Sequence, residues 1–368
     1  MKYSSRVLHL NLHLTAEPFD SPSRKMLKKV RKKDFSAQDF VDQLLREGAQ
    51  ETCDETNESF VRSDRLPPFY DERLFRKGQE FFHKHAFSMY SACLYGLVAI
   101  LSIPTILRIL IFTKQSSSAV TAYKRYVATI FHMTIWYDED FKPGSKLWKS
   151  ISQVRHVHNS ASKRGSKAGV HRIFQKDMAL TQFGFMGFQL SRSHLVGIHD
   201  ASEEEWKSFL HVWRVVGYLL GINDRFNLCS GSVQETKEIC ELLISQAFKP
   251  EILKRDKDFL SMARHVCSGL WPVSPILNFK TSLCFLHALV QETNGFKEIP
   301  EPTFFKLSWG LKLSYYFQMY VFLYWMKNHY YRLYRNFIQK FTLWFFKVLP
   351  LLAFYKFGIA HSYVDIKV

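Results

Sequence analysis

The stretch Gln175-Lys-Asp-Met-Ala-Leu-Thr-Gln-Phe-Gly-Phe-Met-Gly-Phe188 is an apolar helical segment that carries isolated polar side chains. Arg155-His-Val-His158 precedes it, and Asp224-Arg-Phe-Asn227 follows it. Arginine, histidine, glutamine and aspartate cost free energy when they are buried without partners. Titratable side chains among apolar helices therefore indicate a pocket rather than a plain core.

Composition and charge narrow the possible partners. The 368 residues carry a formal net charge of +17, and 47% of them are hydrophobic, which is ample for a core. A basic chain favours acidic partners, either nucleic acid or anionic lipid. No recognised nucleic-acid module accompanies the charge, so nucleic acid is not expected. The 33 Phe and 17 Tyr favour a membrane interface or a large apolar ligand site.

Cysteine spacing and missing motifs exclude several function classes. The six cysteines form no CxxC or CxxCH, which argues against a zinc ribbon and against covalent haem attachment. Buried free thiols in a reducing compartment are the simplest interpretation. Residues 1–20 lack a hydrophobic stretch of signal-peptide length, so secretion is not expected. Without a G-x-S-x-G, H-E-x-x-H, P-loop or Rossmann glycine pattern, hydrolysis, zinc, ATP and NAD are not indicated.

Composition divides the chain into three segments. Residues 1–63 predict a weakly structured tail, in which a basic run at 24–33 precedes an acidic, polar stretch. The basic run is typical of a solvated tail, or alternatively of attachment to an anionic surface. Residues 64–300 predict a helical domain, and its oxygenase-like character rests on the family resemblance described below. Residues 301–368 predict basic, aromatic-rich helices that associate with a membrane.

Apolar periodicity predicts an all-α fold, and no alternating strand pattern is convincing. Residues 86–107 carry no charge and are long enough to cross a bilayer. Pro104 and the Ser and Cys side chains within this stretch favour a buried helix pair instead. Ser202 begins a capped helix that Gly221 ends. We expect further helices at 72–85, 119–137, 150–160, 175–190, 232–247, 256–269 and 276–292, with a loop at 161–172.

The C-terminal segment interleaves cations with aromatic rings. Residues 303–368 contain nine Lys or Arg and a single Asp, with dense Trp, Tyr and Phe between them. Such a pattern is typical of an interfacial helix on an anionic bilayer. The alternative is a set of helices that pack on the domain with their lysines outward.

Several segments occur in the order found in a known family. They are Gly96 to Thr113 with Pro104, Arg125-Tyr126 to Thr129, Trp136, Val154 to His158, Asp177 to Phe188, and Trp213 to Asn227. The ordered set, within residues 66–290, resembles the catalytic domain shared by the bacterial latex clearing protein (rubber oxygenase) and the fungal endoplasmic-reticulum oxygenase of mycophenolic acid biosynthesis. No single motif is diagnostic, and the specificity lies in the order.

The resemblance implies a globin-like helical core that holds a non-covalent haem b. It predicts a haem-dependent, oxygenase-like oxidoreductase that cleaves or oxidises a hydrophobic isoprenoid or unsaturated lipid with O₂. A basic, aromatic chain fits a membrane-bound substrate, and the expected location is the cytosolic face of the endoplasmic reticulum. Two alternatives remain. One is a non-catalytic membrane protein that binds lipid or haem in the inherited pocket, and the other is a basic surface-binding adaptor.

Arg155 and His158 are the catalytic pair that the resemblance implies. They match the family's Arg and basic residue and lie three apart on one helix face. In that role Arg155 would pair with a carboxylate or a haem propionate, and His158 would lie near bound O₂ or the iron. Without the resemblance, contacts with nearby acids or carbonyls would account for both side chains.

The identity of the metal ligand is open. The rubber oxygenase carries its axial His in the helix that corresponds to 175–190, which contains no His here. The register of the resemblance places Gln182 or Phe183 at that point. His158 is then the leading ligand, with His171 and His194 behind it. Another metal, no metal, and a pocket that has lost the chemistry are the alternatives.

Other polar residues complete the predicted site. Asp177 and Gln182 are expected to face one region and contact the cofactor, and Asn227 to donate to a substrate or a propionate. Asp224 and Arg225 predict a turn held by their mutual contact. Four further histidines are not expected to bind a metal: His211 lies opposite the apolar stripe of its helix, His156 points away from His158, and His83 and His85 are expected at the surface.

Overall fold

The computed structural model describes residues 35–57, 65–292 and 302–368. Within these ranges the chain forms α-helices and short 3-10 and π turns, and its one β contact is an isolated bridge between Thr52 and Phe174. The all-α prediction is confirmed for the described residues, whereas the globin-like arrangement of the core stays a prediction. Residues Ala37–Val368 form one compact unit.

The helices are numbered in chain order. They are α1 Ala37–Arg46, α2 Glu72–Lys84, α3 Ala86–Ile100, α4 Pro104–Thr113, α5 Ala119–Asp138, α6 Lys146–Lys167, α7 Gln175–Ser191, α8 Glu203–Leu219, α9 Val233–Leu243, α10 Lys249–Lys254, α11 Lys257–Leu270, α12 Phe279–Gln291, α13 Trp309–Leu323, α14 His329–Val348, α15 Leu351–Phe357 and α16 Ile359–Ser362.

Glycines lie where three helix pairs pack most closely. In the pair α3–α7, a Cβ at Gly96 would lie 1.9 Å from the Gly184 carbonyl oxygen. In α2–α8, a Cβ at Gly78 would lie 2.4 Å from the Ser208 carbonyl oxygen, and in α5–α11 a Cβ at Gly269 would meet the α5 backbone at 2.8 Å. No side chain fits at these crossings, so direct backbone contact fixes the three pairs.

Helix α7 occupies the centre of this frame. Fourteen of its 17 residues are buried, and it packs against α1, α3, α8 and α9. A helix that is surrounded on every side has no polar face to offer to water. Its glutamines must therefore find partners inside the protein, which sets the chemistry of the site below.

The predicted loop at 161–172 is wrong for its first half, because α6 continues to Lys167. The Ser162 hydroxyl donates to the buried Asp54 carboxylate at 2.8 Å. A Cβ at Gly165 would lie 2.6 Å from the His171 carbonyl oxygen. These small residues lie on a packed face of the helix, so contacts distant in sequence override the local loop composition.

The prediction of a weakly structured tail is wrong for residues 37–57. Val41 and Leu44 of α1 are fully buried, and the buried carboxylate of Asp54 pairs with Arg172 at 2.8 Å. This part of the chain packs on the helical body because it brings its own apolar face. The basic run at 24–33 lies outside the described residues.

Residues 86–107 form two helices instead of one rod. A bend of 93° separates α3 from α4, and ten of the 15 residues of α3 are buried, as expected of a buried helix pair. In the described ranges, no single helix has both the length and the apolarity needed to cross a bilayer. The bent pairs α3–α4 and α14–α15 reach that length and apolarity only when their two helices are taken together.

Candidate functional site

Arg155 on α6 is a buried tether between chain segments. Its guanidinium donates to the Leu219 carbonyl at 2.8 Å and to the Thr56 carbonyl. Only 3% of the residue is exposed. Carbonyl oxygens can satisfy a buried cation through charge-assisted hydrogen bonds. Arg155 therefore joins the end of α8 to the loop after α1 and positions α6 between them.

His158 lies one turn further along α6, and one of its ring nitrogens, Nδ1, is buried without a hydrogen-bond partner. Burial, followed by the positive charge of Arg125, lowers the pKa of His158 to about 4, so the imidazole is neutral at pH 7. The side chain nevertheless keeps partial accessibility. The ring thus combines a buried nitrogen that has no hydrogen-bond partner with partial accessibility of the side chain.

Apolar side chains with the same partial accessibility occur on α3, α6 and α7. They are Tyr90, Leu94 and Leu97 on α3, Val154 on α6, and Phe185 on α7. The three residues of α3 share one face by helical spacing, and Val154 shares the face of His158. The hydroxyl of Tyr90 hydrogen-bonds the Thr134 hydroxyl of α5 at 3.0 Å, which links α3 to α5.

Gln182 and Asn227 hold the chain after α8. The Gln182 amide nitrogen donates to the Trp213 carbonyl at 2.8 Å and to Asn227 Oδ1 at 2.9 Å, and its oxygen accepts from the Leu228 amide at 3.1 Å. The Asn227 amide nitrogen donates to the Arg214 carbonyl at 2.9 Å. These contacts engage both ends of each amide, and the predicted cofactor contacts of Gln182 and Asn227 stay a prediction.

Asp177 and His171 come together at the start of α7, apart from Gln182. The Asp177 carboxylate lies 2.9 Å from His171 Nε2, and it accepts from the Thr105 hydroxyl at 2.5 Å and the Phe174 amide at 3.0 Å. Its partners lie on α4 and before α7, whereas those of Gln182 lie on α8 and after it. The expectation that Asp177 and Gln182 face one region is therefore wrong.

The candidate ligands differ in how far the protein already engages them. His171 is paired with Asp177, and His194 is exposed on the 3-10 turn after α7. Across the described ranges, no three His, Cys, Asp or Glu side chains are grouped closely enough to hold a metal ion. A haem needs only one protein ligand. Among the predicted ligands, His158 best fits that role, because its buried ring nitrogen has no protein partner.

Sequence reasoning misplaced two histidines. His85 is fully buried, 3.5 Å from the Asp200 carboxylate, so its predicted surface position is wrong. Burial lowers the pKa of His85 to about 4. His211 is also buried, and its Nε2 accepts from the Asp71 amide at 3.0 Å. The burial of both histidines depends on their contact partners, Asp200 and Asp71. These partners lie far away in the sequence, so local sequence patterns do not reveal the burial.

The predicted contact between Asp224 and Arg225 is also wrong. Asp224 pairs with Arg214 at 2.6 Å, and Arg225 pairs with Glu47 at 3.0 Å and with Glu51. The turn after α8 is thus attached to α8 on one side and to the residues that follow α1 on the other.

No protein-family model, no curated protein and no solved structure matches this chain. The resemblance described above therefore rests on the ordered segments of residues 66–290 alone. The activity, cofactor and partners that it implies stay predictions.

Proposed function

We propose that this protein is a membrane-associated, oxygenase-type oxidoreductase that cleaves or oxidises a hydrophobic isoprenoid or unsaturated lipid, with haem held at His158. One observation carries the proposal: the neutral imidazole of His158 has a buried nitrogen without a hydrogen-bond partner, on a side chain that keeps partial accessibility. Neutral imidazole is the form of histidine that ligates metals.

Different residues would bind the cofactor, bind the substrate and position α6. His158 would hold the cofactor, and Tyr90, Leu94, Leu97, Val154 and Phe185 would form the apolar gap that takes the substrate. Apolar walls with few polar groups are typical of lipid-like ligand sites. Arg155 would keep α6 in place through its carbonyl contacts. Haem, when bound, supplies the activation of O₂.

A non-catalytic protein that binds lipid or haem in the same gap is the second candidate. It is favoured by α7, which has no histidine and whose Gln182 amide is engaged by the chain. The first and second candidates share the gap and differ in the redox chemistry.

The first test is an optical spectrum with iron analysis of detergent-purified protein. The proposal predicts a Soret band with near-stoichiometric iron that His158→Ala loses. The matched control is His171→Ala, which removes a histidine already paired with Asp177 and should keep the haem. Folded protein without iron or a Soret band would exclude haem catalysis and leave the lipid-binding candidate.

A second test fills the gap without touching the ligand. Val154→Phe places a large ring one turn before His158 and should lower haem or lipid content while the helical signal persists. Val157→Phe on the same helix is the control, because Val157 is 52% exposed. Equal ligand content in both variants would mean that Val154 does not border the gap.

A further inference from the structure

Helix α13 carries an outward stripe of large apolar side chains. They recur every three or four residues along the helix and at its C-terminal cap, and all are exposed: Trp309 at 86%, Leu313, Phe317, Tyr320 and the cap residue Tyr324. Such spacing places them on one face of the helix. A surface helix of a globular protein usually packs its apolar face against the core. In α13 the apolar face is exposed instead.

Helix α14 repeats the arrangement. Its exposed stripe consists of Tyr330 at 80%, Tyr334, Phe337, Phe341, Trp344 and Val348. The opposite side of the helix buries Arg332 and Asn336. The polar side chains thus face the protein, and the aromatic side chains face away from it.

The two stripes join into one surface, which we call the aromatic face. The ring of Trp325, between the helices, lies 5.8 Å from Phe317, 5.7 Å from Tyr320 and 5.1 Å from Tyr331. Further along α14, the Phe341 ring lies 5.8 Å from that of Trp344. Aromatic contacts therefore join α13 to the start of α14, and a second group of ring contacts follows along the rest of α14.

Buried polar contacts fix the aromatic face outward. Asn336 accepts from the Phe87 amide at 3.0 Å and donates to the Lys84 carbonyl at 2.8 Å, and Arg332 pairs with Asp200 at 2.9 Å. Turning α14 to bury its rings would break these bonds and expose their partners to an apolar surface. The desolvation penalty opposes that rotation.

Charge identifies what covers the aromatic face. Lys306, Lys327, Lys340 and Lys347 are exposed around it, and Asp365 is the single acidic residue of 303–368. A second copy of the chain would bring lysines against lysines, which costs free energy. Anionic lipid headgroups complement the lysines, and Trp and Tyr prefer the bilayer interface. A bilayer crossing would place Lys340 and Lys347 in hydrocarbon.

We infer that α13 and α14 lie flat in the headgroup region of an anionic bilayer, with the aromatic face inserted and the flanking lysines on lipid headgroups. The inference deepens the membrane association in the proposed function and does not depend on haem. The aromatic face with its flanking lysines fits a lipid bilayer better than a second copy of the chain.

Flotation of the full-length protein with phosphatidylcholine vesicles, with and without phosphatidylserine, tests the inference. The protein should float with the vesicles that contain phosphatidylserine. Binding should weaken by roughly tenfold or more in high salt, on phosphatidylcholine alone, and in Lys340→Glu/Lys347→Glu. Binding that does not depend on phosphatidylserine, on salt or on the two lysines would contradict the inferred contact between lysines and anionic headgroups.

Substitution of the rings tests the insertion. Phe337→Ser/Phe341→Ser/Trp344→Ser should bind at least roughly tenfold more weakly than the wild type. The control is Val157→Ser/Leu253→Ser, which removes exposed apolar side chains from α6 and α10 and should bind normally. Circular dichroism checks that both variants fold.

Two outcomes would overturn the inference. The triple variant could float as well as the wild type, so that the rings do not insert. Alternatively, the wild type could self-associate without floating while the triple variant stays monomeric, which would make the aromatic face a contact between copies. The triple variant should keep any Soret band of the wild type, so failure of this inference is distinct from failure of the haem proposal.

Discussion

Helices α7 and α14 use similar side chains in opposite ways. In α7, 14 of 17 residues are buried, and its phenylalanines and glutamines both face the protein. In α14, Arg332, Asn336 and Phe346 are the buried residues among 20, and most of its rings face outward. The polar side chains with partners, rather than the apolar ones, mark the protein side of α14. Hydrophobicity alone does not tell which face of a helix is inside.

The largest expected effect is a difference in unfolding free energy between alanine substitutions of a phenylalanine in α7 and one in α14. Phe183 is fully buried and its ring lies 4.5 Å from that of Phe248, so Phe183→Ala should cost about 3–5 kcal/mol of unfolding free energy. Phe341 is exposed, and Phe341→Ala should change stability by no more than about 0.5 kcal/mol. Urea unfolding in detergent measures both. Equal losses would remove the contrast between α7 and α14.

Two glycines repeat the contrast. Gly96→Val adds atoms where even a Cβ would lie 1.9 Å from the Gly184 carbonyl oxygen, so we expect a loss of about 3 kcal/mol. A Cβ added at Gly310 of α13 would have no neighbouring atom within 4 Å, and Gly310→Ala should be neutral or stabilise by up to about 1 kcal/mol. Thermal unfolding compares the variants, and a tolerated Gly96→Val would mean that α3 and α7 separate easily.

Removal of Asn336 should loosen α14 from the body. Asn336→Ala leaves the Phe87 amide and the Lys84 carbonyl without this partner, and we expect a loss of about 1–2 kcal/mol. Limited proteolysis should then cleave Asn336→Ala in or beside α14 faster than it cleaves the wild type there. The control is Asn328→Ala, whose side chain caps the exposed start of the same helix by accepting from the Tyr331 amide. Faster cleavage in Asn328→Ala alone would assign the anchoring to the cap.

Acid should weaken the helical body through its buried neutral histidines. Burial lowers the pKa of His211 to about 4, so the unfolded chain binds the proton more readily between pH 6.5 and about 4. Stability should therefore fall as the pH drops through that window. His211→Gln can still accept from the Asp71 amide and should reduce the fall by about 1 kcal/mol. Urea midpoints across this pH range measure it, and an unchanged slope would exclude His211.

Local signals in the sequence predicted several helices closely. The predicted 119–137 and 175–190 correspond to α5, Ala119–Asp138, and α7, Gln175–Ser191. The predicted capping pattern at Ser202 is present, since its side chain accepts from the Glu205 amide. These features depend on residues within a turn or two of each other, so the sequence contains them directly.

Features that depend on distant partners escaped the sequence. His85 is buried beside Asp200, which also pairs with Arg332, and both partners come from elsewhere in the chain. The end of α6 is helical because Ser162 reaches Asp54. Asp177 and Gln182 share a helix but reach different neighbours. The spacing that assigned Arg155 and His158 to one face held no information about the carbonyls that engage Arg155.

Asn336 joins α14 to the start of α3. Its side chain receives the Phe87 amide hydrogen in the first turn of α3, and Tyr90 lies about one turn further along that helix. A push on the aromatic face must therefore either move the start of α3 or break this hydrogen bond. The position of α14 and the position of the helix that carries Tyr90 are therefore mechanically coupled through one amide side chain.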